Sequence, residues 1–111
     1  PARRLGGSLN GDHDEFNPFV APDGSFILCN IAGLPDSYGG ADLYISFQEG
    51  ENTWTEPKNL GPAVNSEASD LKASLSPDGE YLFFTSFRRG TADVYWMDAE
   101  ILDALKPDDL R

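Results

Sequence analysis

Residues 75–86 read Leu-Ser-Pro-Asp-Gly-Glu-Tyr-Leu-Phe-Phe-Thr-Ser, and this stretch decides the fold. Pro-Asp-Gly is typical of a tight turn, because proline fixes its own φ, aspartate bonds the local backbone and glycine tolerates a positive φ. The apolar and β-branched residues around the turn are typical of strands. The stretch therefore predicts a β-hairpin.

The same hairpin is predicted earlier in the chain, where residues 20–31 read Val-Ala-Pro-Asp-Gly-Ser-Phe-Ile-Leu-Cys-Asn-Ile. One spacing relates three pairs of positions: Pro22 and Pro77, Leu5 and Leu60, and Asn10 and Asn65. Each pair is 55 positions apart, as 77 is from 22. A period of this length, filled with short strands, predicts a repeat architecture in which one unit cannot bury its own apolar faces.

Four strands are predicted in the first unit and three in the second. They cover residues 16–21, 25–31, 41–47 and 53–58, and then residues 71–76, 80–87 and 91–97. Asp98 is a predicted N-cap for a short helix over residues 99–106, which ends before Pro107. The sequence thus predicts an all-β fold of two four-stranded antiparallel meanders, the unit of a β-propeller, with a short C-terminal helix.

The motifs of both units resemble the WD-repeat-like β-propeller repeat of TolB-type proteins. The resemblance rests on residues 21–24, 41–44 and 54–61 of the first unit and on residues 75–86, 88 and 92–95 of the second. It covers roughly residues 5–98. It implies a module that binds a protein, peptide or glycan, in a bacterial envelope or secreted setting, although the location stays unknown.

The predicted blades leave two strand edges and parts of the apolar faces uncovered. Blade one spans about residues 16–59, and blade two about residues 71–98, to be completed by residues 1–5 or by a neighbouring chain. We therefore expect a homo-oligomer that closes a propeller ring, three copies giving six blades. A piece of a longer propeller and a free-standing two-blade sandwich are the alternatives.

The charge of the chain restricts its partners. The net charge is −11, from 19 acidic and 8 basic residues, so nucleic acid and anionic membranes are poor partners. No apolar run of about 18 residues predicts a transmembrane helix. Cys29 is the single cysteine and cannot form an internal disulfide.

The longer loops of a four-stranded meander lie on one face, opposite the Pro-Asp-Gly turns, and binding residues tend to gather on such loops. The candidate ligand-binding residues on this loop face are Asp12, His13, Tyr38, Glu67, Asp70, Arg88 and Arg89. Asp42 and Asp93 stand at equivalent positions before a strand, where a carboxylate is expected to accept backbone N–H groups and fix the loop.

The sequence predicts no catalytic residue and no required cofactor. A hydrolase would have to use His13, the single histidine, and a calcium-dependent enzyme or lectin would use Asp12, Asp14 and Glu15, although the spacing of a calcium loop is absent. We therefore expect a non-catalytic binding module. His13→Ala should abolish turnover only if the hydrolase alternative holds.

The aromatic residues allow two interpretations. Trp54, Trp96, Tyr44 and Tyr95 could form a platform on which a sugar stacks, but Tyr44 and Tyr95 occupy equivalent strand positions. Residues at such positions usually pack between blades. Core packing is therefore the expectation, with glycan binding as the alternative.

Overall fold

The computed structural model describes residues 1–10 and 14–111, and strands dominate that part of the chain. The strands are β1 (Gly6–Gly7), β2 (Glu15–Val20), β3 (Phe26–Ala32), β4 (Ala41–Gly50), β5 (Thr53–Trp54), β6 (Lys58–Asn59), β7 (Asp70–Leu75), β8 (Tyr81–Ser86) and β9 (Asp93–Asp98). One short α-helix, α1 (Glu100–Ala104), follows β9, and a single 3-10 turn covers Asp108–Leu110. The predicted all-β class with a short C-terminal helix is confirmed.

Both Pro-Asp-Gly turns form as the sequence predicts. Gly24 and Gly79 each adopt a φ of 76°, which is the left-handed region that favours glycine. The carboxylate of Asp23 accepts the N–H and the hydroxyl of Ser25 at 2.9 and 2.6 Å. Asp78 likewise accepts the N–H of Glu80 at 3.0 Å and the hydroxyl of Ser76 at 2.6 Å. Each turn therefore fixes one antiparallel hairpin, β2–β3 or β7–β8.

These turn carboxylates should make the protein less stable in acid. The hydroxyl of Ser25 lowers the pKa of Asp23, and the hydroxyl of Ser76 lowers that of Asp78, from the ordinary value of 3.8. Because the folded chain then binds these protons less tightly than the unfolded chain, their contribution is present above about pH 4 and is lost as the pH falls through the folded pKa values.

We expect the unfolding midpoint in urea to drop between pH 4 and pH 2, in part through these two residues. The double variant Asp23→Asn/Asp78→Asn should show a smaller drop across that window. Asp109→Asn, at an exposed carboxylate near the C-terminus, is the control. Identical acid profiles for the wild type and the double variant would contradict the assignment.

The first sheet is built around an up-and-down meander. β2 pairs antiparallel with β3, β3 with β4, and β6 with the middle of β4. The predicted strand 53–58 is split into β5 and β6, and Pro57, which has no N–H to give to a ladder, lies in the break. Thr55 still joins β4, because its N–H donates to Phe47 O at 2.9 Å and its Oγ1 accepts the Phe47 N–H at 2.9 Å.

The second sheet has three strands within the described residues, in the order β7-β8-β9. The N-terminal segment of the same chain does not add a fourth strand. Instead, β1 pairs in parallel with β5, and the Ser8 N–H donates to Trp54 O at 3.1 Å. Completion of this sheet by a neighbouring chain stays a prediction.

The C-terminal helix is shorter than the predicted range of residues 99–106. Ala99 is the cap residue of α1, rather than Asp98. The carboxylate of Asp98 nevertheless accepts the Glu100 N–H at 2.8 Å, which satisfies one of the first N–H groups of the helix. Leu102 of α1 is buried in the core that lies between the two sheets.

The apolar side chains form one cluster on each face of the first sheet. The cluster between the sheets contains Leu28, Leu43, Ile45, Phe47, Leu60, Val64, Ala73, Leu82, Phe84, Ala99 and Leu102. The cluster on the opposite face contains Leu9, Ile27, Cys29, Ile31, Tyr44 and Trp54, with Leu5 and Leu34 packed against it. The first sheet is therefore covered on both faces, by the second unit and by the N-terminal segment.

Candidate functional site

Three loops meet at the end of the sheets opposite the Pro-Asp-Gly turns. They are residues 33–40, 60–69 and 87–92, which we call the loop end. The Gly40 N–H donates to Ala68 O at 3.2 Å, and the Phe87 N–H donates to Ser69 O at 3.0 Å. A side chain at Gly39 would place its Cβ only 2.0 Å from Ala68 O. Glycine therefore allows two of these loops to touch through their backbones.

Asp42 fixes the first of these loops from a fully buried position. Its Oδ2 accepts the Tyr38 N–H at 2.6 Å and the side-chain amide of Asn59 at 2.9 Å. The predicted role of Asp42 is thus confirmed. The equivalent Asp93 of the second unit differs from the prediction, because the donor to its carboxylate is the hydroxyl of Thr91, at 3.1 Å, rather than a backbone N–H.

Tyr44 also fixes the loop of residues 33–40. Its hydroxyl donates to Asp36 at 2.7 Å, and the ring is fully buried. Burial, together with that hydrogen bond, raises the pKa of Tyr44 well above its ordinary value. The hydroxyl therefore stays protonated and remains a donor across the physiological pH range.

Asn65 joins the second loop to the middle of the first sheet. Its Oδ1 accepts the Leu43 N–H at 2.7 Å, and its Nδ2 donates to Leu43 O at 3.0 Å and to Asn59 Oδ1 at 2.8 Å. The side chain is buried. Asn65 thus occupies both backbone groups of one residue of β4, as a short additional strand would.

Arg88 and Asp70 join the third loop to the start of β7. The Arg88 guanidinium donates to Asp70 Oδ1 at 3.0 Å, to Ser86 Oγ at 2.8 Å and to the Val64 carbonyl. Asp70 is fully buried and also accepts the Ser66 N–H at 2.7 Å. The ion pair therefore bridges two loops and is shielded from water on the carboxylate side.

Arg88 also lies over two aromatic rings. Its Cζ is 4.7 Å from the ring centroid of Tyr95 and 5.4 Å from that of Phe84, and the two rings are stacked. Such cation–π contacts add to the ion pair when the cation is partly desolvated. The guanidinium is therefore held in one orientation and points inward.

The candidate residues named from the sequence fall into three groups. Tyr38, Glu67 and Arg89 are exposed on the loop end. Asp70 and Arg88 lie there too, but both are engaged with each other and with neighbouring loops. Asp12 and His13 lie outside the described residues. Of these candidates, one aromatic, one acidic and one basic side chain are thus free to meet a partner, and Asp36 and Phe87 of the same loops are exposed as well.

Sequence reasoning missed the roles of Asn59 and Asn65. The repeat of Asn10 at Asn65 was a visible signal, but a repeated asparagine alone does not indicate which backbone groups it bonds. No repeat pointed to Asn59, because the residue 55 positions before it is Arg4, not another asparagine.

The calcium candidates are not brought together in the described part of the chain. Asp14 is exposed, whereas Asp12 and the side chain of Glu15 are not described. Within residues 1–10 and 14–111, no three His, Cys, Asp or Glu side chains are grouped so that they could hold a metal ion. Calcium binding stays a prediction.

The aromatic platform expected for the glycan alternative does not form from its four residues. Trp54 and Tyr44 are buried against the N-terminal segment, and Arg88 covers Tyr95. Trp96 is exposed, but on the second sheet and away from Tyr44 and Trp54. These contacts agree with the core-packing interpretation for Tyr44 and Trp54.

The end of the sheets that carries the Pro-Asp-Gly turns, which we call the turn end, has a cleft that the sequence did not indicate. It has a volume of about 370 Å³ and lies between the second Pro-Asp-Gly turn and α1. Its apolar lining comes from Phe26, Leu75, Tyr81 and Leu102, and its acidic lining from Glu80, Asp98, Glu100 and Asp103. The two ends of the molecule thus differ in character: the turn end is acidic, whereas the loop end is mixed.

The chain matches no protein-family model, and no curated protein shows significant similarity to it. In the part of the chain that is described, no helix has the length and apolar character needed to cross a membrane.

Proposed function

We propose that the chain is a pair of β-propeller blades that serves as a non-catalytic recognition module for a protein or peptide, bound at the loop end. Three observations support the propeller interpretation: the repeat of 55 positions, the up-and-down order β2-β3-β4-β6, and the packing of the second sheet on one face of the first. The resemblance to TolB-type repeats agrees with this interpretation.

The hydrogen bonds and the ion pair that hold the loop end are the observation that carries the proposal. Asp42, Asn65 and the Asp70–Arg88 pair are polar groups placed in the interior, and each fixes a loop rather than pointing to solvent. Burying such groups is costly unless they are hydrogen-bonded. Asp42 Oδ2 has two donors, although its Oδ1 is buried without a partner among the described residues. A preorganised loop surface loses less entropy when it binds a partner.

The exposed residues on these fixed loops favour a protein or peptide as the ligand. Tyrosine and arginine are enriched at the centres of protein interfaces, and Tyr38 and Arg89 are both exposed here, as is Glu67 on the loop of residues 60–69. A glycan usually needs an open aromatic platform. Of the four residues considered for one, Tyr44 and Trp54 are buried and Arg88 covers Tyr95, so only Trp96 is open.

Selection of peptides from a phage-displayed random library on the immobilised chain tests this proposal. We expect enriched peptides whose dissociation constants, measured by calorimetry, rise about tenfold or more in Tyr38→Ala and Arg89→Ala, because truncating a central anchor of an interface costs about 2 kcal/mol and about 1.4 kcal/mol is already tenfold. Glu80→Ala and Glu100→Ala at the turn-end cleft are the matched controls. Peptides that respond to these two variants, and not to the loop-end variants, would contradict the proposal.

A further inference from the structure

One face of the second sheet is apolar and uncovered. Its side chains, which we call the outer face, are Tyr81 and Phe83 of β8 and Val94 and Trp96 of β9. Val94 is 73% exposed and Trp96 is 65% exposed, although both are large apolar residues within a strand. Phe83 is directly opposite Trp96 in the ladder, and the rings of Tyr81 and Trp96 meet edge to face at 5.4 Å. Such a patch marks an interaction surface.

The internal repeat shows what a face of this kind contacts. The equivalents of these residues in the first unit are Phe26, Leu28, Leu43 and Ile45. Leu28, Leu43 and Ile45 are each 0% exposed, because the second unit packs on them. Equivalent positions are thus fully buried in the first unit and exposed in the second, where none of the described residues packs on them.

The chain also carries the surface that would complete the contact. The first unit's face is covered by Leu60, Val64, Leu82 and Phe84. The equivalents of these four residues, Leu5, Leu9, Ile27 and Cys29, lie together in the cluster at the start of the first unit. Val20 is 54% exposed, whereas its equivalent Leu75 packs against the core between the sheets. One copy presents the outer face. Leu9, Ile27 and Cys29 are already buried within their own chain, so the incoming surface of another copy consists of the exposed Arg3, Arg4 and Val20 and the half-buried Leu5.

Polar groups repeat in the same register. Asn65 bonds the N–H and C=O of Leu43, and the equivalent pair is Asn10 and Val94. Leu43 faces Asn30 in the ladder, and Val94 faces the equivalent Thr85, so Val94 presents its N–H and C=O at the same side of its strand. Among the residues that the structure describes, β9 is the last strand of its sheet, and none of them pairs with that side of it.

The charges at this edge are complementary. Lys58 and Asn59 form β6 beside β4, and the equivalent residues are Arg3 and Arg4. Asn59 donates to Asp42, so Arg4 of an incoming copy would stand where it can donate to Asp93. A pair of arginines is placed to meet an acidic strand, in a chain whose net charge is −11. Opposite charges of this kind fix the register of an interface.

We infer that the outer face binds a second copy of this chain head to tail, with residues 3–10 of the incoming copy crossing it as residues 58–65 cross the first unit. The contact is heterologous, because the two copies contribute different surfaces. Contacts of this type close into a ring or extend as a filament. The inference is independent of the peptide-binding role proposed for the loop end.

Two variants separate this arrangement from a symmetric dimer. Trp96→Glu places a charge on the outer face, and Arg4→Glu/Val20→Glu changes only exposed residues on the incoming surface. We expect the wild type to sediment at a multiple of 12.1 kDa at micromolar concentration. Each variant alone should sediment as a monomer with an unchanged circular dichroism spectrum. Phe87→Ser, at an exposed aromatic residue outside the outer face, should keep the wild-type mass.

Mixing the two variants is the decisive measurement. Trp96→Glu keeps the incoming surface intact, and Arg4→Glu/Val20→Glu keeps the outer face intact. A head-to-tail contact between the two variants therefore gives a one-to-one dimer that cannot grow further. A symmetric contact through the outer face would instead leave Arg4→Glu/Val20→Glu oligomeric on its own, and that result would overturn the inference. A wild-type chain that stays monomeric up to millimolar concentration would overturn it as well.

Discussion

Replacing Arg88 with alanine is expected to lower the free energy of unfolding by about 3 kcal/mol. Removing one partner of a buried ion pair leaves an uncompensated charge and commonly costs about 3–5 kcal/mol. Asp70 is fully buried, but the Arg88 side chain is 31% exposed, so water lessens the loss and the lower end of that range applies. Urea denaturation at pH 7 measures the change.

Arg89 provides the control for this variant. It follows Arg88 directly and is exposed on the same loop, so Arg89→Ala should change the unfolding free energy by about 0.5 kcal/mol or less. Arg88→Lys should fall between the two, because an ammonium group keeps the charge but cannot reproduce the fork that reaches Asp70, Ser86 and Val64 together. Equal stabilities for Arg88→Ala and Arg89→Ala would show that the ion pair does not hold the loop.

The strands were predictable because their signals are local. The Pro-Asp-Gly turns and the apolar runs beside them predict β2, β3, β7 and β8 to within one or two residues. The break between β5 and β6 was not predicted, although Pro57 offered a reason for it. The alternation of residues in β9 was visible as well, but the sequence could not indicate which of its faces lacks a neighbour.

The contacts that hold the loop end were only partly predictable. Asp42 bonds a backbone group four positions away, within the reach of a local pattern. Asp70 and Arg88 are 18 positions apart, and Asn65 and Leu43 are 22 apart, so their meeting depends on how the two sheets pack. The repeat does not predict the ion pair, because the positions of the first unit equivalent to Asp70 and Arg88 hold Glu15 and Gly33.

Asn65→Ala should also destabilise the protein, by about 2 kcal/mol, because it leaves the buried Leu43 N–H without its partner. The Leu43 carbonyl keeps the Leu60 N–H at 3.0 Å and Asn59 Oδ1 keeps the Gly61 N–H at 2.8 Å, so each of these two acceptors loses only one of two donors. An unsatisfied buried donor costs about 1–3 kcal/mol. Equilibrium unfolding in urea at pH 7 measures the loss.

Asn10→Ala is the matched control, since the same residue type stands at the equivalent position of the first unit. Its Nδ2 donates to Leu5 O at 3.2 Å, and the side chain is half-buried, so the expected loss is about 0.5 kcal/mol at concentrations where the chain is monomeric. At higher concentration the head-to-tail contact would give Asn10 the same two backbone partners on Val94 that Asn65 has on Leu43. A stability loss for Asn10→Ala that grows with protein concentration would therefore connect the two asparagines, whereas a large loss in the monomer would mean that Asn10 fixes the N-terminal segment within its own unit.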